Sequence, residues 1–148
     1  TLRLAQAGSA LAISDVNAQG LAETAKAAAA LGVKVTQHLL DVADKEAMQS
    51  FAAEVQQQHG RASILFNNAG VAILGTAEEL SIEDYEWLLG INLLGVIYGT
   101  KCFLPLLKQQ PEAYVLNVSS IFGIIAPTGQ SAYCAAMILQ NGITKHIP

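Results

Sequence analysis

The chain has 148 residues, a formal net charge of −4 and a pI near 5.2. Hydrophobic residues make up 52% and charged residues 14%, which excludes a disordered chain, because disorder goes with low hydrophobicity and high net charge. The acidic balance argues against a nucleic-acid partner, which favours a basic surface. No apolar run approaches the roughly 18 residues of a membrane span, so we expect one domain over residues 1–148 with an apolar core and no membrane contact.

The two cysteines, Cys102 and Cys134, lie far apart and have no metal-ligand spacing. Such cysteines are typical of reduced thiols in a cytoplasmic protein. The first eight residues lack the apolar stretch of a secretory signal. Because the first residue is Thr1 rather than Met, we expect further sequence upstream.

Short apolar runs alternate with helical stretches along the chain. The longest helix is expected to begin at Ser81 in a capping-box pattern and to end near Lys108, ahead of Pro111. Alternation of strands and helices favours a parallel sheet that is covered by helices on both faces. Strands are predicted over residues 10–14, 33–40, 62–66 and 113–118, with helices that end at Gly8 or begin at Asn17, Asp44, Ser81 and Ser131.

Polar or small residues follow every predicted strand. In an α/β sheet of this kind, ligands bind at the carboxyl ends of the strands. The sequence therefore predicts a site built from the four strand ends, which are Asp15, Asp41, residues 67–70 and residues 119–120.

Asp15 and Asp41 have two interpretations each. In a dinucleotide-binding fold, an acidic residue at the position of Asp15 accepts hydrogen bonds from the adenosine ribose and repels a 2′-phosphate. Asp41 would meet the adenine edge. Asp15 would also suit a turn or a helix cap next to Asn17, and Asp41 could equally be a loop cap.

Residues 67–70 have the sequence Asn-Asn-Ala-Gly. Small residues let the backbone approach a ligand closely, and asparagine amides can tie neighbouring strands together. An ordinary turn would suit the same four residues.

Ser120 and Tyr133 lie thirteen positions apart, across a loop that begins at a strand end. A serine hydroxyl can polarise a carbonyl oxygen, and a phenol can give or take a proton. Serine and tyrosine are also common loop residues, so the pair alone decides nothing. No Gly-x-Ser-x-Gly frame is present, which argues against a hydrolase. The three histidines His38, His59 and His146 fall in unrelated contexts and support neither a zinc site nor a histidine-based triad.

Taken together, the motifs resemble the classical short-chain dehydrogenase/reductase family, which builds a Rossmann-type, doubly wound parallel sheet. The resemblance extends over nearly the whole chain. Its segments, in order, are Asp15, Asp41-Val42, residues 67–70, residues 91–95, residues 117–120 and residues 133–136.

The resemblance implies a role for each motif in reversible hydride transfer between a nicotinamide cofactor and a secondary alcohol or ketone. Tyr133 would be the general acid/base, Ser120 would hydrogen-bond the substrate oxygen, and Asn92 would hold a proton-relay water. Asp15 would favour NAD over NADP. The other cofactor contacts would come from Asp41, Val42, Asn68, Ala69, Gly70 and Tyr133.

Two departures from the family pattern concern the cofactor. The glycine-rich phosphate loop and the first strand of the fold are absent, so the pyrophosphate would lose its main anion site. The loss of a central strand would leave two strands with unpaired edges. The family lysine, four residues after the tyrosine, is replaced by Met137. A lysine there would stabilise the ionised phenol and bind the nicotinamide ribose, and Lys145 lies in the wrong register to replace it.

The segment after Met137 also departs from the pattern, because Gly142 and Pro148 resemble the end of a helix and the start of the next strand. We therefore expect a break near residues 136–138, with the helix after Tyr133 missing. Either the sequence is a partial record of a longer enzyme, which the apolar composition favours, or it is a genuinely truncated product.

Two functions follow from these alternatives. The first is an NAD-dependent oxidoreductase, expected to be a homodimer or homotetramer by resemblance. The second is a non-catalytic module that binds partners or oligomerises through the helix over residues 87–108. The apolar stretch 121–127 beside Ser120 suggests a lipophilic or uncharged substrate, or else it packs under its own loop.

Overall fold

A computed structural model describes the backbone of residues 1–144 and the side chains of residues 1–140. Strands and helices alternate along these residues, as the sequence predicts. The strands are β1 (Leu11–Asp15), β2 (Val35–Leu39), β3 (Ile64–Asn67) and β4 (Tyr114–Asn117). The helices are α1 (Leu2–Gln6), α2 (Ala18–Ala29), α3 (Lys45–His59), α4 (Ile82–Leu89), α5 (Gly95–Leu107) and α6 (Ser131–Thr144).

The first half of the chain forms a parallel strand pair, in which Leu11 of β1 lies opposite Val35 of β2. The helix between the two strands begins at Asn17, whose side-chain oxygen accepts a hydrogen bond from the Gly20 amide at 3.0 Å. This satisfies one of the free amides at the helix start. Ala28 of α2 packs against Leu11 in a small buried cluster.

The second half forms a second parallel pair, in which Ile64 of β3 lies opposite Tyr114 of β4. The main core lies between β3 and helices α3 and α5, and it includes Phe51, Leu65 and Phe103. Ala12 of β1 packs against the same cluster. One helical layer therefore covers strands of both pairs.

Within the described residues, no hydrogen-bonded strand joins the two pairs, and they form separate two-stranded sheets. This agrees with the prediction of unpaired strand edges. On the face of β3 and β4 away from α5, four large side chains are exposed by 41–59%. They are Ile64, Phe66, Tyr114 and Leu116.

A single helical segment runs from Ile82 to Leu107, with a π-helical turn (Gly90–Leu94) between α4 and α5. Its start is the predicted capping box: the Ser81 hydroxyl accepts from the Asp84 amide, and the Asp84 carboxylate accepts from the Ser81 amide. Pro105 lies inside its last turns.

This segment corrects the expectation that nothing in the chain is long enough to span a membrane. It has 26 residues and a mean hydropathy of 1.4, so by length and composition alone it is able to cross one. Between Trp87 and Leu107 the single charged residue is Lys101, so the rest of this stretch is uncharged. Leu88, Val96 and Phe103 along it are buried against other parts of the fold, as in a core helix.

The expectation that the helix after Tyr133 is missing is wrong: α6 runs without a break from Ser131 to Thr144. Met, Ile, Leu and Gln are good or tolerated helix formers. Ala132, Ala136, Met137 and Gln140 recur at helical spacing and are all buried, so one face of α6 packs against α4 and the π-helical turn. Lys145, which by its register in the sequence does not replace the family lysine, lies outside the described residues, as do His146 and Pro148.

Candidate active site

A cavity of about 240 Å³ lies at the carboxyl ends of β3 and β4. The segments that follow these strands form two of its walls, and the π-helical turn and α6 form the others. Its lining residues are Asn68, Ala69, Gly70, Val71, Ala72, Asn92, Val118, Ser119, Tyr133, Met137 and Gln140. The position agrees with the predicted location at the strand ends, and none of these side chains is charged.

Asn92 fixes the wall that follows β3. Its side chain is 1% exposed; Oδ1 accepts from the Val71 amide at 2.8 Å and Nδ2 donates to the Val71 carbonyl at 2.7 Å. In the π-helical turn around Asn92, the Gly95 amide bonds to the Gly90 carbonyl, five residues back. The side chain of Asn92 thus positions the backbone beside the cavity. The relay water at Asn92 stays a prediction.

Asn67 ties β3 to β4, as predicted from the ability of an asparagine amide to bond to a neighbouring strand. Its Nδ2 donates to Asn117 Oδ1 at 2.8 Å and to Thr100 Oγ1 at 3.2 Å. Helix α5 approaches this group so closely that a Cβ on Gly99 would lie 2.3 Å from Asn67 Oδ1. Thr100 and Gly99 were not singled out in the sequence, because their role depends on the packing of α5 on the sheet.

Tyr133 lies on the first turn of α6 and lines the cavity. Its ring packs edge-on against Phe122, with ring centroids 6.0 Å apart and an interplanar angle of 87°. Edge-to-face packing holds aromatic rings in a defined orientation. Phe122 therefore helps to direct the phenol.

The structure brings Ser119, rather than Ser120, to the cavity. The Ser120 hydroxyl accepts from the Phe122 amide at 3.3 Å and caps a 3₁₀ turn (Ile121–Gly123). Ser119 Oγ lies 4.0 Å from Met137 Sδ. The thirteen-residue spacing that favours Ser120 does not account for this turn, which uses the Ser120 hydroxyl locally.

Met137 occupies the cavity wall one turn after Tyr133 and is 4% exposed. The thioether supplies neither a charge nor a hydrogen-bond donor. Gln140, one turn further, is 2% exposed, and its Nε2 donates to the Val118 carbonyl at 3.1 Å. This link between α6 and the end of β4 was missed in the sequence, because the segment was expected to be broken.

The two predicted cofactor aspartates lie outside the cavity lining. Both are exposed, and each makes a local turn: Asp15 Oδ1 accepts from the Asn17 amide and Asp41 Oδ1 from the Ala43 amide, both at 2.9 Å. Val42 is half-buried at the edge of the main core. A Cβ on Gly95 would lie 2.8 Å from Val42 Cγ2, so this position is set by close packing of the long helix.

The described residues fit a nicotinamide dinucleotide at two places. The exposed carboxylate of Asp15 ends β1, where it is accessible to a ribose diol, and the loop from Asn68 to Gly70 has small side chains beside the cavity. Within residues 1–144, no glycine-rich loop opens a helix next to the cavity, so a pyrophosphate site is not provided there. In the same residues, no group of three histidine, cysteine or acidic side chains is placed to hold a metal ion.

Comparison with known proteins identifies the family. The short chain dehydrogenase family profile matches residues 1–147. The protein SadH of Mycobacterium tuberculosis is 40% identical over 144 residues, which are 97% of this chain and 52% of that protein. The 3-oxoacyl-[acyl-carrier-protein] reductase FabG of Thermotoga maritima is 32% identical over 145 residues, 98% of this chain and 59% of that protein.

Solved structures show the same fold. A short chain dehydrogenase/reductase from Burkholderia phymatum in complex with NAD superposes with a TM-score of 0.93 at 31% identity, covering 97% of this chain and 51% of that one. An alcohol dehydrogenase from Thermococcus sibiricus complexed with 5-hydroxy-NADP gives a TM-score of 0.92 at 28% identity, covering 96% and 60%. The architecture is therefore the α/β Rossmann-type fold.

The chain belongs to the short-chain dehydrogenase/reductase family, whose members are oxidoreductases that use nicotinamide cofactors. It spans between half and three-fifths of the length of the relatives and structures named above.

Proposed function

We propose that the chain forms the dinucleotide- and substrate-binding framework of an NAD-dependent oxidoreductase that interconverts a secondary alcohol and a ketone. The observation that carries this proposal is the cavity at the ends of β3 and β4, which is lined by Tyr133, by a serine and by the loop that Asn92 anchors. Bound NAD would supply or accept the hydride.

In this proposal Tyr133 moves a proton between its phenolic oxygen and the substrate oxygen. General acid–base catalysis of this kind needs the phenol within hydrogen-bond reach of that oxygen. A serine hydroxyl would donate a second hydrogen bond to the substrate; Ser120 is the residue that the family resemblance favours, and Ser119 is the one that lines the cavity. Asn92 would keep the loop at Val71 in place and support the proton relay.

We propose NAD rather than NADP because Asp15 ends β1. A carboxylate at this position binds the ribose hydroxyls and repels a 2′-phosphate. Relatives of known structure include complexes with NAD and with an NADP derivative, so the family alone does not decide the cofactor. The adenosine half would be completed by Asp41 and Val42, and Asn68, Ala69 and Gly70 would pass beneath its ribose.

A second candidate function rests on Met137. With a thioether in place of the family lysine, the described site has no cation beside Tyr133 to stabilise a phenolate or to bind the nicotinamide ribose. The alternative is a non-catalytic family member that binds ligands or partners. Trp87 and Leu94, exposed by 49% and 38% on the long helix, would belong to its interface.

The two functions are separated by the Met137→Lys and Met137→Leu variants, the second being a matched apolar control. Turnover would be followed as NADH absorbance with secondary alcohols and NAD. If the protein is an enzyme that works without the lysine, wild type and Met137→Leu both turn over and Tyr133→Phe abolishes the activity. Activity only in Met137→Lys, with correct folding of all variants by circular dichroism, identifies a non-catalytic wild type. No activity in any variant, together with no NAD binding, contradicts the oxidoreductase proposal.

We further propose a cytoplasmic location and a homodimeric or homotetrameric state. The location rests on the free thiols of Cys102 and Cys134, which persist in reducing compartments. Burial raises the pKa of the Cys102 thiol, which makes it less reactive.

The oligomeric state rests on the family resemblance, and sedimentation velocity would test it.

A further inference from the structure

Two segments that border the cavity carry no charge at all. Residues 62–77 include β3 and the loop after it, and residues 113–144 include β4, the 3₁₀ turn and α6. Neither segment contains an aspartate, glutamate, lysine, arginine or histidine. An anionic substrate group is normally held by arginine or lysine. The described cavity therefore offers no partner for a carboxylate or phosphate on the substrate.

Large apolar side chains project into solvent from the same two segments. Leu74, two residues beyond the lining residue Ala72, is 77% exposed. Ile121, Ile124 and Ile125, which follow the lining residue Ser119, are exposed by 58%, 79% and 50%. Of the two interpretations that the sequence leaves open for residues 121–127, the structure does not show these isoleucines packed under their own loop.

Several contacts hold these side chains close to the cavity. The Gly75 amide donates to the Gly129 carbonyl at 3.1 Å, which joins the two segments outside the cavity. Phe122, between Ile121 and Ile124 in the chain, packs against the ring of Tyr133. The Ile125 carbonyl lies 3.8 Å from Cys134 Sγ, next to Tyr133 on α6. We call the exposed apolar residues Leu74, Ile121, Ile124 and Ile125, which belong to the two segments that border the cavity, the apolar rim.

The cavity is too small to enclose a large ligand. Its volume of about 240 Å³ lies below the roughly 300–1,000 Å³ of pockets that bury most of a drug-sized molecule. A ligand whose oxygen reaches Tyr133 must extend outward if it has more than a few carbons. The apolar rim belongs to the segments that border the cavity, and apolar contact there would remove hydrocarbon from water.

We propose that the substrate is a neutral alcohol or ketone on an apolar chain, with its oxygen at Tyr133 and its hydrocarbon on the apolar rim. This inference rests on the proposed function for the identity of the reacting group. The uncharged walls exclude an acidic head group, the small cavity places the hydrocarbon outside it, and the apolar rim covers that hydrocarbon.

Ligand binding without cofactor tests the proposal directly. The affinities of 2-butanone, 2-hexanone and 2-octanone, and of octanoate, would be measured by ligand-observed NMR. Affinity is expected to rise between about twofold and fourfold for each added methylene, the upper value corresponding to ~0.8 kcal/mol per fully buried CH₂. Octanoate is expected to bind at least tenfold more weakly than 2-octanone. Equal affinities for 2-octanone and octanoate, or an affinity that does not depend on chain length, would overturn the proposal.

Variants on the apolar rim locate the effect. In the double variant Ile121→Ser/Ile124→Ser, the affinity is expected to be nearly independent of chain length. Leu39→Ser is the matched control, because Leu39 is 64% exposed on β2 and belongs to neither segment. If Leu39→Ser lost as much of the chain-length dependence as the double variant, the binding would be unspecific and the proposal would be overturned. Ile124→Lys is expected to weaken the binding of 2-octanone, because a charged side chain would replace apolar contact on the apolar rim. All substituted side chains are exposed, and circular dichroism would check that the variants fold.

Two further measurements keep the outcomes distinct. NAD binding would be measured on the same sample, so a chain-length effect without NAD binding would reject the proposed function while retaining a lipophilic site. Sedimentation velocity would be run on wild type and on the double variant. If the double variant converts a dimer to a monomer and leaves ketone binding unchanged, the apolar rim is a contact between two copies and the proposal is wrong.

Discussion

Asn92 bonds to both backbone polar groups of Val71, accepting from its amide at 2.8 Å and donating to its carbonyl at 2.7 Å. The side chain reaches from the π-helical turn to the loop that follows β3. A buried asparagine with both ends of its amide engaged is a structural clamp, and it holds one wall of the cavity.

Replacing Asn92 with alanine is expected to destabilise the fold by about 2–4 kcal/mol. Two backbone groups of Val71 would lose their partners, and each unsatisfied buried polar group costs about 1–3 kcal/mol. Urea unfolding would measure the change, with the exposed Ser50→Ala substitution as a control that shifts stability by less than about 0.5 kcal/mol. A loss below about 1 kcal/mol would contradict the clamp.

Gly99→Ala is expected to destabilise the protein by about 1–3 kcal/mol, because the new methyl group would lie 2.3 Å from Asn67 Oδ1 and overpacking costs about this much. Gly20→Ala is the matched control on α2, where the nearest atom to a Cβ is 3.4 Å away. There the better helix propensity of alanine should leave stability unchanged or raise it by up to about 1 kcal/mol. Equal effects of the two substitutions in thermal unfolding would show that Asn67 does not restrict α5.

Acid is expected to weaken the fold through His59. Burial, followed by the charges of Lys34 and His38, lowers the pKa of His59 from 6.5. Below pH 6.5 the unfolded chain therefore takes up a proton that the folded chain does not bind until its lower pKa is reached. Stability linked to His59 is complete above pH 6.5 and is lost as the pH falls below that value.

The proton that His59 takes up in acid would enter a network of polar side chains. Thr36 Oγ1 lies 2.9 Å from His59 Nε2 and 2.9 Å from His38 Nε2, and His38 Nδ1 donates to Glu54 Oε2 at 2.7 Å. Urea unfolding at pH 7.5 and pH 5.0 would measure the effect. The His59→Gln variant should lose less stability between these pH values than wild type. An equal or greater loss in the variant would assign the acid effect to other groups.

The sequence predicted the features that depend on neighbouring residues. Asn17, Asp44 and Ser81 start helices because their side chains bond amides three residues ahead, and such caps are visible in a linear pattern. The strand ends were predicted from the polar or small residues that follow each apolar run, which is also a pattern of neighbouring residues. The pattern of polar residues predicted a site at the four strand ends, and the cavity lies at two of them, the ends of β3 and β4.

The features that depend on packing were predicted less well. Ser119 lines the cavity, while the Ser120 hydroxyl accepts a hydrogen bond in the 3₁₀ turn after β4, and the catalytic role of Ser120 stays a prediction. The sequence does not predict the continuity of α6, because Gly142 is typical of a helix end. In the structure, the buried face from Ala132 to Gln140 holds the helix in place. The helical segment over Ile82–Leu107 agrees with the predicted start at Ser81 and the predicted end near Lys108, but the sequence did not predict the π-helical turn (Gly90–Leu94) inside it.

The most direct test of the central claim is a calorimetric titration of the purified protein with NAD and, separately, with NADP. We expect NAD to bind and NADP to bind at least tenfold more weakly, and we expect Asp15→Ser to reduce that difference to threefold or less. Circular dichroism would confirm that the variant is folded. No heat of binding with either nucleotide, or equal affinities in wild type, would contradict the account.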